Sequence, residues 1–117
     1  NHMERLIDGY ESQQNRFNAP GEKLIGYTID GQIVAVCGLN IEPENESFAR
    51  IRRLYVLPNY RKQCIGSELV KHLINHATTS FLGVNVNIGR LPIDEFYQKL
   101  GFSRSETCNK YSHLLKF

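Results

Sequence analysis

The chain has no tryptophan, one methionine and three cysteines, none of them in a CxxC pair. Cys37, Cys64 and Cys108 are odd in number and widely spaced. That excludes a disulfide framework and reads as the reduced thiols of a cytoplasmic protein. No apolar run approaches the ~20 residues that span a bilayer, so no membrane partner is expected. The opening stretch MERLIDGYESQQ is amphipathic, unlike the apolar centre of a signal peptide. The Asn45-Glu46-Ser47 glycosylation pattern carries no meaning without secretion. A strong charge excess is missing too. A net charge of +2 is too small to argue for a nucleic-acid partner. Neither a P-loop nor a GxGxxG fingerprint occurs, which argues against ATP and NAD. His72 and His76 have the i, i+4 spacing of metal ligands, but the glutamate of HExxH and a third ligand are lacking. No metal is expected.

What is present suits one domain covering residues 1–117, with Asn1 and His2 resembling a tag ahead of Met3. Residues 3–16 read as a helix that Pro20 and Gly21 break. Apolar, β-branched runs at 24–29 and 32–40 flank Asp30-Gly31, a strong hairpin signal. A polar loop, EPENES, leads to a strand at 48–57. Leu69, Val70, Leu73, Ile74 and Ala77 form one stripe of a helix over 66–77. A strand at 81–88, a helix at 92–100 stopped by Gly101, and closing strands at 103–108 and 111–117 complete the pattern. The order is α, then β-β-β-α-β-α-β-β: an α/β fold with a mixed sheet.

The junction YVLPNYRKQCIGSELV runs from strand to helix through a basic turn. The first N–H groups of a helix have no intrahelical partner and, with the helix dipole, favour an anion such as phosphate. Gly66 offers a bare backbone, and Arg61 and Lys62 add positive charge. The same residues also suit a plain solvated loop, so the turn alone decides nothing.

RLYVLPNYRKQCIGSELV followed by FYQKLGF resembles the GNAT superfamily of acyl-CoA-dependent N-acetyltransferases. The likeness runs from about residue 24 to 117. It implies a GNAT-like mixed central sheet flanked by helices, shortened at the N-terminus, with acetyl-CoA as co-substrate and a small-molecule or peptide amine as acceptor. The resemblance maps the pyrophosphate loop onto Arg61, Lys62, Gln63, Cys64, Ile65, Gly66 and Ser67. It maps the strand that pairs with the pantetheine arm onto Leu54, Tyr55 and Val56. Cys64 stands where the family prefers glycine, and Arg90 stands where it often has asparagine, with Asn85 and Asn87 nearby. A non-catalytic acyl-CoA-binding or regulatory module is the alternative.

Phe96, Leu100 and Phe102 read as core, with Tyr97 turned to one side. By resemblance Tyr97 protonates the leaving thiolate; a phenol with pKa near 10 can donate at neutral pH. No base is assigned. ARIRRL carries no carboxylate, and Glu46 reads as solvated. Arg50, Arg52 and Arg53 suit an acidic acceptor or a wet sheet face better than a nucleic acid. About twenty residues precede Lys23, which leaves room for one helix and no further strand. The strand at 24–29 is then an exposed edge, expected to be covered by a second copy or another protein, with a homodimer the favoured case.

Overall fold

The structure is a computed structural model and describes residues 2–6, 17–105 and 110–117. Its strands are β1 (His2–Leu6), β2 (Lys23–Ile29), β3 (Gln32–Ile41), β4 (Phe48–Val56), β5 (Gly83–Val86), β6 (Ser103–Arg104) and β7 (His113–Lys116). Helix α1 (Ile65–Ala77) joins β4 to β5, and α2 (Asp94–Lys99) follows β5. The sheet order is β1-β2-β3-β4-β5-β7-β6. β4 and β5 run parallel, while the other neighbours are antiparallel. A crossover through a helix is the usual link between parallel strands, and α1 supplies it.

The hairpin forms where Asp30-Gly31 places it. Both residues have positive φ (51° and 80°), and Ile29 pairs with Gln32. That is the backbone a two-residue primed turn requires. Ile65, Leu69, Val70, Leu73 and Ala77 bury one face of α1 in the core beside Leu39, Ile51 and Val84. At its C-terminus Thr78 Oγ1 donates to Asn75 O and Thr79 Oγ1 to His76 O, adding side-chain partners for carbonyls of the last turn. His76 Nε2 donates to Gly21 O at 3.1 Å, tying the helix to the entry of β2.

The N-terminal expectation is corrected. Residues 2–6 form a strand paired with β2 from His2↔Ile29 to Leu6↔Ile25. The remainder of the expected helix, 7–16, lies outside the described residues. The stretch has helical periodicity, but the free hydrogen-bonding edge of β2 is a tertiary partner that local propensity cannot register. β2 is therefore covered within the chain, which removes the premise for a homodimer. Strand ends also shrink: β5 covers 83–86 and not 81–88, and α2 has six residues.

β4 carries a bulge. Gly38 pairs with Arg52 and Val36 with Tyr55, so three steps on β4 oppose two on β3. Arg53 takes up the extra residue at φ 60°. A bulge bends its strand and re-aims the residues beyond it. β5 pairs with β4 only from Phe48↔Gly83 to Ile51↔Val86. Beyond Val86, Asn87 Oδ1 accepts from Gly89 N, and Gly89 at φ 58° turns the chain away. The two parallel strands therefore separate, and that separation makes the site.

Candidate active site

A cavity of about 390 Å³ fills the opening between the strands. Residues 50–54 of β4 form one wall and residues 86–88 the other, with Leu91, Ile93 and Tyr97 closing it. Leu54 and Tyr97, far apart in sequence, thus share one space. Tyr55 is half exposed and Val56 half buried. From Arg52 onward β4 has a strand neighbour on the β3 side alone among the described residues.

Helix α1 begins beyond the end of β4, with Gly66 lying beside Val56 and Phe96. Cys64 is its N-cap in the left-handed region (φ 64°, ψ 14°), and no described side chain caps the first N–H groups. The family's preference for glycine has its physical reason here, since a Cβ in that conformation costs about 1–2 kcal/mol. Cys64→Gly relieves this strain but adds unfolded-state entropy of about 0.4–1 kcal/mol. A rise of a few degrees in thermal midpoint is expected by calorimetry.

Arg61, Lys62, Gln63 and Cys64 are exposed, while Ile65 is 2% exposed and its side chain belongs to the core. Ile65 can therefore offer a ligand only its backbone. Gly66 and Ser67 are half buried. A Cβ on Gly66 would meet Phe96 Cζ at 3.6 Å and Val56 Cγ2 at 3.7 Å, which is ordinary contact. Packing does not demand glycine there. The helix start itself presents the donors. Arg61 Nε donates to Val56 O at 2.9 Å, and its guanidinium lies 5.5 Å from the Tyr55 ring centre. These contacts hold a positive charge against the end of β4.

Tyr97 is not turned aside as expected. It is 1% exposed, and Phe96 is the half-buried one. The six-residue α2 ends in a Schellman turn: Phe102 N donates to Tyr97 O and Gly101 N to Gln98 O. Phe102 packs on Tyr97 with ring centres 5.3 Å apart. Burial, with a smaller contribution from Cys37, pushes the Tyr97 hydroxyl well above the usual phenol range. Asp94 opens α2 and accepts a hydrogen bond from His113 Nε2 of β7. That bond first, and the charge of Arg104 after it, hold the Asp94 carboxyl below its ordinary value, with burial opposing. The helix bearing Tyr97 is thereby pinned to the sheet.

Sequence reasoning missed a polar cluster at the paired end of β4. Glu42, placed in a polar loop, is 3% exposed. Its Oε1 meets Arg50 Nη2 at 2.6 Å and accepts from Asn85 Nδ2 at 3.2 Å. Arg50 also donates from Nε to Asn85 Oδ1 and from Nη2 to Lys110 O. No local signal could reveal it, because the three partners come from separate elements. Glu46 is exposed, and the described residues hold no cluster of three or more metal-ligating groups.

A bulged strand splayed from its parallel neighbour thus lies beside an uncapped helix start in an α/β fold. The sequence profile of the acetyltransferase (GNAT) family matches residues 2–102, and the chain belongs to that family. Its fold is similar to that of a suspected acetyltransferase from Exiguobacterium sp. 255-15, with a TM-score of 0.88 at 20% identity, covering 99% of this chain and 93% of that one. It is also similar to a GNAT family acetyltransferase from Elizabethkingia anophelis with acetyl-CoA bound (TM-score 0.69, 16% identity, 91% and 78% covered). PaiA N-acetyltransferase from Thermoplasma acidophilum, in complex with coenzyme A, shares the fold as well (TM-score 0.68, 22% identity, 82% and 61% covered). At these identities the likeness is one of fold. No protein of curated function matches the sequence.

Proposed function

We propose that the protein transfers an acetyl group from acetyl-CoA to an amine by direct attack. The observation that carries this reading is the cavity between β4 and β5, which places Leu54 and Tyr97 on one space at the end of a strand leading to an uncapped helix start. The residues suit the co-substrate. N–H groups at the start of α1, with Arg61 and Lys62 beside them, hold the pyrophosphate. The backbone of Leu54, Tyr55 and Val56, with no described strand on its outer side, pairs with the pantetheine arm. Solved GNAT relatives with coenzyme A or acetyl-CoA bound support the same choice.

The amine nitrogen bonds to the thioester carbon, the carbon–sulfur bond breaks, and the thiolate takes a proton from the Tyr97 hydroxyl. Among the described residues, no carboxylate or imidazole lines the cavity. The acceptor therefore enters as the free amine, its nitrogen gives its surplus proton to water once the new bond has formed, and Tyr97 regains its proton from solvent. This lack of a base is also what favours the second reading, a non-catalytic acyl-CoA-binding module. A turnover screen decides between them: coenzyme A release across amines, amino acids, polyamines and peptides, followed by chromatography. Release above the background hydrolysis rate supports transfer; tight binding without release with any acceptor supports the module.

Arg61→Ala weakens acetyl-CoA binding about tenfold, the worth of one hydrogen bond to a charged group. The deficit shrinks in high salt, because an exposed charge is screened. Calorimetric titration at low and high salt checks both.

A further inference from the structure

Arg50 and Arg52 lie two residues apart on β4 and so project from the same face of the sheet. Their surroundings differ sharply. The Arg50 guanidinium is committed to the Glu42 carboxylate, Asn85 Oδ1 and the Lys110 carbonyl. Arg52 has no carboxylate partner among the described residues. Its Nε is buried with no hydrogen-bond acceptor among them. Both arginines line the cavity and Arg53 joins them, while no acidic residue of the described chain does.

A guanidinium stays charged at every relevant pH and presents a planar fork of donors shaped for a carboxylate or phosphate. Leaving one of those donors buried and unpaired carries the desolvation penalty of that group with nothing to offset it. A fold that gives Arg50 three partners, two residues away, has the means to pair Arg52 as well. Instead its guanidinium fork is left to a cavity whose described lining holds no counter-charge.

Resting on the acetyltransferase reading, we infer that the acceptor is an amine that also bears a carboxylate or phosphate, and that Arg52 is the residue that recognises this anion. Coenzyme A's own phosphates are not what Arg52 meets. The helix start that receives the pyrophosphate lies beside Val56, and Arg52 stands four residues back along the strand, roughly 13 Å away. Arg52 flanks the stretch where the thioester meets the acceptor. An anion seated on it would fix the acceptor's orientation, with its amine directed along the cavity toward Leu54 and Tyr97. Positioning of this kind also offsets the missing base, because it holds the free-amine fraction of the acceptor against the thioester.

The test uses matched acceptor pairs: α-amino acids against their amides, and aminoalkyl phosphates against the corresponding amino alcohols. Acetyl-CoA affinity and product formation are measured in the same samples, with products followed by chromatography because the exposed Cys64 would react with a thiol dye. The wild type is expected to favour the anionic member of a pair at least tenfold in kcat/KM, and the family of pairs that responds separates carboxylate from phosphate. The amide's amine is less basic and therefore more often free. Without anion recognition the neutral member would react faster. Arg52→Gln should cut the preference about tenfold or more, mainly through KM. Arg52→Lys should restore part of it, and both variants should keep the wild-type acetyl-CoA affinity. Equal rates within pairs, a preference for neutral members, or a preference that survives Arg52→Gln would overturn the inference. Acetyl-CoA binding without turnover of either member in any pair would overturn it too. Failure to bind acetyl-CoA at all is a different result: it removes the acetyltransferase reading itself.

Discussion

Tyr97→Phe lowers acetyl transfer about a hundredfold or more while leaving acetyl-CoA affinity nearly unchanged. The magnitude is that of a positioned general acid. The substitution is well suited to the question, because it keeps the ring that packs at 5.3 Å on Phe102 and at 5.0 Å on Phe96. Loss of folding is not the expected consequence. The pH profile adds a second readout. Tyr97 is active as the protonated acid, and burial moves its titration above the ordinary value near 10. Wild-type activity should therefore hold through pH 9–10, where an exposed phenol would begin to ionise. Steady-state rates with the best acceptor, taken from pH 7 to 10, check both parts. Equal turnover in the variant would leave Tyr97 as packing alone.

The same burial sets a limit on stability in alkali. Cys37 is buried, and its thiol is pushed up from 9.0 to about 12. A raised folded-state pKa stabilises the fold below the unfolded value and loses that contribution as pH climbs. The loss runs from about pH 9 toward 12, with Tyr97 adding to it above 10.

Glu42→Ala costs about 3 kcal/mol of folding stability. Removing the carboxylate leaves the Arg50 charge, whose side chain is 15% exposed, without its partner. It also leaves the buried Asn85 amide and the Glu44 N–H without an acceptor. Glu42→Leu combined with Arg50→Met recovers much of the loss, since an apolar pair of similar volume avoids the stranded charge. Urea unfolding of the single and double variants measures this. A loss under about 1 kcal/mol in the single variant would mean that solvent reaches Arg50 freely.

Local chemistry made much of this legible in the sequence. Asp30-Gly31 specified its hairpin, the stripe from Leu69 to Ala77 specified α1, and Gly101 ended α2, because each signal acts between residues close in sequence. The strand-to-helix turn ahead of α1, from Arg61 to Cys64, was legible as a turn for the same reason. Three features were not. Residues 2–6 have helical periodicity and become a strand because the edge of β2 is available to them. Tyr97 and Phe96 exchange their expected burial, since a short helix is oriented by its partners, here His113 with Asp94 and Phe102 with Tyr97. The bulge at Arg53 and the buried Glu42–Arg50–Asn85 cluster arise from strand register, which no single stretch encodes.

Titration with acetyl-CoA, followed by the thermal unfolding midpoint, tests the central claim most directly. At a hundred times its dissociation constant the co-substrate should stabilise the protein by about 2.7 kcal/mol. A domain of this size should respond with a rise of several degrees. Free coenzyme A should shift the midpoint in the same direction, since it carries the same pyrophosphate and pantetheine. No shift with either compound at millimolar concentration would contradict both the transferase and the acyl-CoA-binding readings.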